Sequence, residues 1–136
     1  MERFKNLLIR RYLGEVSKAS ALYNLEIEQA LLGSILINND AFYRVSDFLV
    51  ANHFYEPLHS EIFEIATTLI HGGKTANPVT VKTLLSTQTN VGDLSVPQYL
   101  AWAASKGCEA ALAGDFGQII YDLSIRRTEN EAQWSS

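Results

Sequence analysis

Between Leu22 and Leu85, apolar residues recur at helical spacing, and each run closes on residues that stop a helix. Asn24 suits an N-cap because its side-chain oxygen can accept from the free amides of a first turn, and Glu26 and Glu28 then favour the positive end of the helix dipole. Laid out at about 100° per residue, Ile27, Leu31, Leu32, Ile35 and Leu36 form one broad face, with Glu28 inside it. Asn38, Asn39 and Asp40 end this helix and cap a two-turn element, AFYRVSDFL, in which Phe42, Val45 and Leu49 share a face. Pro57 fits a first helical turn, and Leu58, Ile62, Ile65 and Leu69 continue at spacings of four, three and four until Gly72 and Gly73.

Asn77 and Pro78 repeat the device of a cap followed by proline and open VTVKTLL as a short helix. A polar loop leads to Ser95 and Pro97, which start a helix packed through Tyr99, Leu100, Trp102 and Ala103 and ended by Gly107. The Ala-rich stretch from Cys108 breaks at Gly114 and Asp115, and FGQIIYDLSIRR follows. Phe116, Ile119, Ile120, Leu123 and Ile125 are too many apolar positions for one narrow stripe. A helix apolar over more than half its circumference packs on two sides or on another chain. If Ile120 faces a partner, Ile120→Asp is expected to disturb association more than folding, and residues 128–136, which lose the period, are expected to fray.

With 136 residues, 47% of them hydrophobic and 19% charged, the sequence fits one globular domain with a core of its own. The single cysteine, Cys108, cannot form an internal disulfide, which fits a reducing compartment and a cytoplasmic location. The net charge of -4 is unevenly spread: residues 1–18 carry Arg3, Lys5, Arg10, Arg11 and Lys18 against Glu2 and Glu15, a local +3 that leaves -7 elsewhere. Phe4, Leu8 and Tyr12 allow a short amphipathic helix in this arm, read chiefly as solvated, while the acidic remainder argues against unaided binding to duplex DNA. Gly14, Glu15, Ser17 and Lys18 interrupt any export signal after Arg10 and Arg11, and no apolar run reaches the roughly 20 residues of a membrane span.

Three arrangements imitate chemistry. Gly72, Gly73, Lys74 and Thr75 look like the end of a phosphate loop, with Asp122 as a metal-holding carboxylate, but Thr68 stands where the first glycine of that loop belongs, and helix surrounds it where a strand is needed. His53, Glu56 and His59 are spaced as a conceivable zinc trio, yet Pro57 lies between them and no HExxH pattern exists, so histidines satisfied by backbone or water are expected. Glu28 reads as a carboxylate capping nearby amides. No catalytic residue, cofactor-binding residue or metal ligand is assigned.

The segment Glu26-Ile27-Glu28-Gln29-Ala30-Leu31-Leu32-Gly33-Ser34-Ile35-Leu36, then His53-Phe54-Tyr55 with His59, Ile62 and Phe63, follow one another in the chain. Gly73, Asn77, Val79, Thr80, Val81, Tyr99, Leu100 and residues 120–127 come after them. In this order the sequence resembles the N-terminal domain of the DnaB-type replicative DNA helicases, over about residues 22–127. It departs from that pattern at Asn77, where aspartate is usual, at Leu25 and at Ser60. The resemblance implies an all-α fold, a small orthogonal bundle of five to six helices carrying the first arm of a helical hairpin. It divides the chain into a basic arm at 1–21, a bundle at 22–107, and a hairpin-type helix with a frayed tail at 108–136. The sequence stops at Ser136, short of the second arm and the RecA-like motor, so no ATP hydrolysis is expected. The resemblance implies a collar domain that self-associates, docks primase and other replication proteins, and binds little DNA directly. Phe116, Ile119, Ile120, Leu123, Ile125 and Arg127 are its candidate interface. A stand-alone helical adaptor is the alternative; a minimal nucleotide-binding protein using Gly73, Lys74, Thr75 and Asp122 is the enzyme-class one.

Overall fold

The chain, as a computed structural model, is described over residues 22–86 and 91–135, so the basic arm and its expected helix lie outside the described residues. Among the described residues the regular structure is helical: α1 (Leu25–Ile37), α2 (Asp40–Tyr43), a 3-10 turn (Ala51–His53), α3 (Pro57–His71), α4 (Pro78–Leu84), α5 (Val96–Ser105), a second 3-10 turn (Ala110–Leu112) and α6 (Ala113–Ser135). The expected all-α bundle is what forms. One isolated bridge, Val91 to Leu94, closes the turn before α5.

The local signals act as their chemistry dictates. Asn24 is extended, and its side chain accepts from the Ile27 amide at 3.0 Å. Asn77 accepts from Val79 and Thr80 while Thr80 Oγ1 accepts from the Asn77 amide, a reciprocal cap that fixes α4. Ser95 and Gln98 cap α5 in the same way. At the end of α3, Gly73 takes a φ of 76° that a side chain would resist. That turn lets the Gly73 amide donate to Ile70 and the Lys74 amide donate to Leu69, closing the helix.

α1 is the central helix. The sequence suggested one apolar face, but Leu25, Glu28, Gln29 and every residue from Leu31 to Leu36 are buried, because α5 and α6 cover what α2 and α3 leave open. Gly33 permits the closest of these packings: a Cβ there would lie 2.0 Å from the Ala103 carbonyl oxygen, and one on Gly107 would lie 2.5 Å from Ser34 N. Backbone rests on backbone at this crossing, and the Cys108 amide donates to the Ala30 carbonyl beside it at 3.1 Å.

Three boundaries differ from expectation. The second element is a single α turn followed by turns through residues 44–48, in which the Arg44, Val45 and Phe48 amides reach back three residues instead of four. Buried Val45 and Leu49 still hold it to the core. α5 ends at Ser105, ahead of Gly107. Gly114 and Asp115 do not break a helix but fall in the first turn of α6, which continues to Ser135 through the tail expected to fray. Asn39 makes no helix cap. Its amide group donates to the Ile35 and Ala76 carbonyls and its oxygen accepts from the Ala76 amide, stitching the end of α1 to the segment before α4.

Candidate interaction surface

Glu28 is the polar residue on which three elements converge. It sits in the first turn of α1, 2% exposed, and faces the N-terminal end of α3 instead of its own helix end. Its carboxylate accepts from the Tyr55 amide at 2.7 Å, from the Glu56 amide at 3.3 Å and from His59 Nδ1 at 2.9 Å. The two amides lie just before Pro57, so the carboxylate ties the chain segment entering α3 to α1 and places a negative charge near the positive N-terminal end of α3. His59, 1% exposed, places its Nε2 2.5 Å from the hydroxyl of Tyr99 on α5. The Nδ1–H tautomer of His59 donates to the carboxylate and accepts from Tyr99 through Nε2. Burial, and secondarily the charges of Glu56 and Glu28, raise the Tyr99 pKa well above its usual range and keep the phenol protonated. The chain Glu28, His59, Tyr99 thus joins α1, α3 and α5 through satisfied polar groups. All three side chains are at most 2% exposed, so their chemistry is that of a structural tie.

The trio His53, Glu56 and His59 does not converge. His59 is committed to Glu28 and Tyr99, while His53 Nδ1 accepts from the Val50 amide at 3.0 Å at the start of the 3-10 turn. No cluster of three metal-ligating side chains exists among the described residues. The phosphate-loop imitation dissolves similarly, because the Gly73 and Lys74 amides are used on α3 carbonyls and Asp122 lies on α6, accepting from Gln118 at 3.1 Å. Cys108 is half-buried, and desolvation raises its thiol pKa, opposite to what an activated nucleophile needs.

The six residues proposed as an interface divide into four groups. α6 faces the bundle through Ala113, Gly117, Ile120 and Ser124, all buried and four, three and four apart. Ile120, 1% exposed, therefore belongs to the core of its own chain, which corrects its assignment to an outward face. The small residues at 113, 117 and 124 let α6 approach closely, so Ile120 is the one large side chain of this stripe that is fully buried, with Phe116 and Tyr121 packing partly against the core beside it. Phe116 and Leu123 are half-buried and Ile119 is 40% exposed. At about 100° per residue these three lie within about 60° of one another on one flank. Ile125, also 40% exposed, falls on the opposite flank. Arg127 turns inward: its guanidinium donates to the Leu22 carbonyl at 2.8 Å and the His53 carbonyl at 2.7 Å. It also stands over the Tyr55 ring, 5.5 Å from the centroid.

The sequence model of the DnaB-like helicase N terminal domain matches residues 20–122. This chain belongs to that family. Among similar proteins, the Replicative DNA helicase DnaB of Rickettsia conorii is 36% identical over 104 residues, covering 76% of this chain and 21% of the relative. That of Mycobacterium leprae is 29% identical over 109 residues, covering 80% and 18%. The chain thus spans about a fifth of the length of the curated relatives it matches. The crystal structure of the N-terminal domain of DnaB helicase from Mycobacterium tuberculosis superimposes with a TM-score of 0.71 at 30% identity, covering 82% of this chain and 80% of that one. What matches is the non-catalytic N-terminal domain of these helicases. Within the DnaB-like domain, the residues that carried the resemblance have physical work: Glu28, His59 and Tyr99 form the buried tie, and Gly33 permits the α1–α5 crossing. No helix among the described residues is long and apolar enough to cross a membrane.

Proposed function

We propose that this chain acts as the collar domain of a replicative DNA helicase, contributing to assembly of the helicase ring and to docking of primase in the cytoplasm, and that it does not itself hydrolyse ATP. The observation that carries the reading is the flank of α6. The helix satisfies its own bundle with its buried stripe, Phe116 packing partly against the core, and leaves Ile119 40% exposed on that flank, with Leu123 half-buried and Leu112 of the preceding turn 43% exposed. Such a flank suits a helix that pairs with a second copy, because apolar area removed from water there is not already used in folding.

Sedimentation over a concentration series tests it. The wild-type chain is expected to self-associate, Ile119→Asp to weaken association at least tenfold, and Ile125→Asp, on the other flank, to leave it unchanged. Titration with the helical C-terminal region of primase tests the docking half. A chain that stays monomeric at all concentrations and ignores primase would overturn the proposal.

A further inference from the structure

Arg127 occupies the position at which α6 leaves the bundle. The buried stripe Ala113, Gly117, Ile120 and Ser124 reaches residue 127 at its next step, and there a guanidinium takes the place of an apolar side chain. Past it, Thr128, Glu129 and Glu131 are exposed and Asn130 is half-buried. The two carbonyls it binds belong to segments far away in sequence, Leu22 before α1 and His53 in the first 3-10 turn, with separations of 105 and 74 residues. The Tyr55 ring it overlies is itself stacked on buried Tyr23, centroids 3.8 Å apart and planes within 4°. The ring face lies 5.5 Å from the guanidinium carbon and attracts its charge. Burial lowers the Arg127 pKa, and Glu28, Tyr55 and Glu131 oppose that change.

We infer that Arg127 is a positioning residue: by clasping the Leu22 and His53 carbonyls across Tyr55, it fixes the direction in which residues 128–135 of α6 extend from the bundle, and hence the geometry available to a second copy pairing along that helix. The second half of this statement rests on the self-association proposed above; the first does not. Two carbonyls on separate segments, met by one planar fork, define a direction. A single flexible ammonium bonded to either one would leave the helix free to swing.

Amide hydrogen exchange on the full chain tests the clasp, with Arg127→Lys and Arg127→Met compared to wild type. Amides of residues 128–135 are expected to exchange about tenfold faster in Arg127→Met, with α1 amides changing less than about twofold, and Arg127→Lys is expected to recover only part of the protection. Equal protection of residues 128–135 in all three proteins overturns the inference, as does acceleration of α1 by the same factor, which would make Arg127 a general stabiliser. Sedimentation of the same proteins supplies the second arm. Weaker association in Arg127→Met, with Ile119 untouched, extends the clasp to assembly. A monomeric wild type whose residues 128–135 are nevertheless released by Arg127→Met would defeat the self-association reading and leave the clasp standing.

Discussion

Removing the Glu28 side chain tests the buried tie most directly. In Glu28→Ala the Tyr55 and Glu56 amides and His59 Nδ1 lose their acceptor at once, in a place where the carboxylate is 2% exposed and water cannot readily substitute. Each stranded buried donor costs about 1–3 kcal/mol, but the Glu56 bond is already long at 3.3 Å and His59 can change tautomer, so the losses do not simply add. A loss of about 3–5 kcal/mol is expected, more than one stranded donor and less than three summed. Glu28→Gln keeps one acceptor oxygen. If that oxygen stays with the Tyr55 amide, the new NH2 faces the other two donors; His59 can then accept through Nδ1 and donate to Tyr99 through Nε2, and the loss should fall to about 1.5–3 kcal/mol. Urea unfolding followed by far-UV circular dichroism measures both, with the slope m held constant across variants. Glu26→Ala, an exposed carboxylate two residues earlier, is the control and should stay within about 0.5 kcal/mol of wild type. A Glu28→Ala loss below about 1 kcal/mol would mean that the three hydrogen bonds do not hold α3 to α1, and the argument built on them would be refuted.

Four further outcomes follow from the structure. Gly33→Ala should destabilise by at least about 1–3 kcal/mol, because its Cβ meets the Ala103 carbonyl at 2.0 Å and neither backbone can yield; Gly73→Ala, with open space but a φ of 76°, should cost only about 1 kcal/mol, and chemical denaturation distinguishes them. Ile62→Ala and Leu31→Ala, at 1% and 0% exposure, should each cost about 2–5 kcal/mol in the same assay. Ile120→Asp should unfold the chain before it affects association, the reverse of the expectation from sequence; a folded but monomeric variant by circular dichroism and sedimentation would contradict the packing. His53 has its pKa lowered, first by burial and then by the Arg127 guanidinium. The unfolded chain therefore binds the proton more readily, and the stability linked to His53 is present above the unfolded value of about 6.5 and lost as pH falls toward the lower folded value. The melting temperature should accordingly drop between about pH 7 and 5, and His53→Asn, which keeps an acceptor for Val50 but cannot titrate, should flatten that slope.

The sequence by itself determined the helical class and most helix starts. Asn24, Asn77, Ser95 and Gly73 act on backbone groups a few residues away, so their effects can be read from neighbours in the chain. The same locality explains why α3, α4 and α5 begin where their caps and prolines place them. Tertiary structure decided which residues of α1 and α6 face inward. A helix enclosed by several others has no single apolar face to read, and small residues such as Gly33, Gly107 and Gly117 signal close packing only when the opposing backbone is known. It also decided the partners of the buried polar groups: Glu28 meets residues 27, 28 and 31 positions away, and Arg127 meets one 105 positions away. Those contacts depend on how the helices cross, which hydrophobic periodicity does not specify. Ile120 and Arg127 consequently looked outward in the sequence and point inward in the fold.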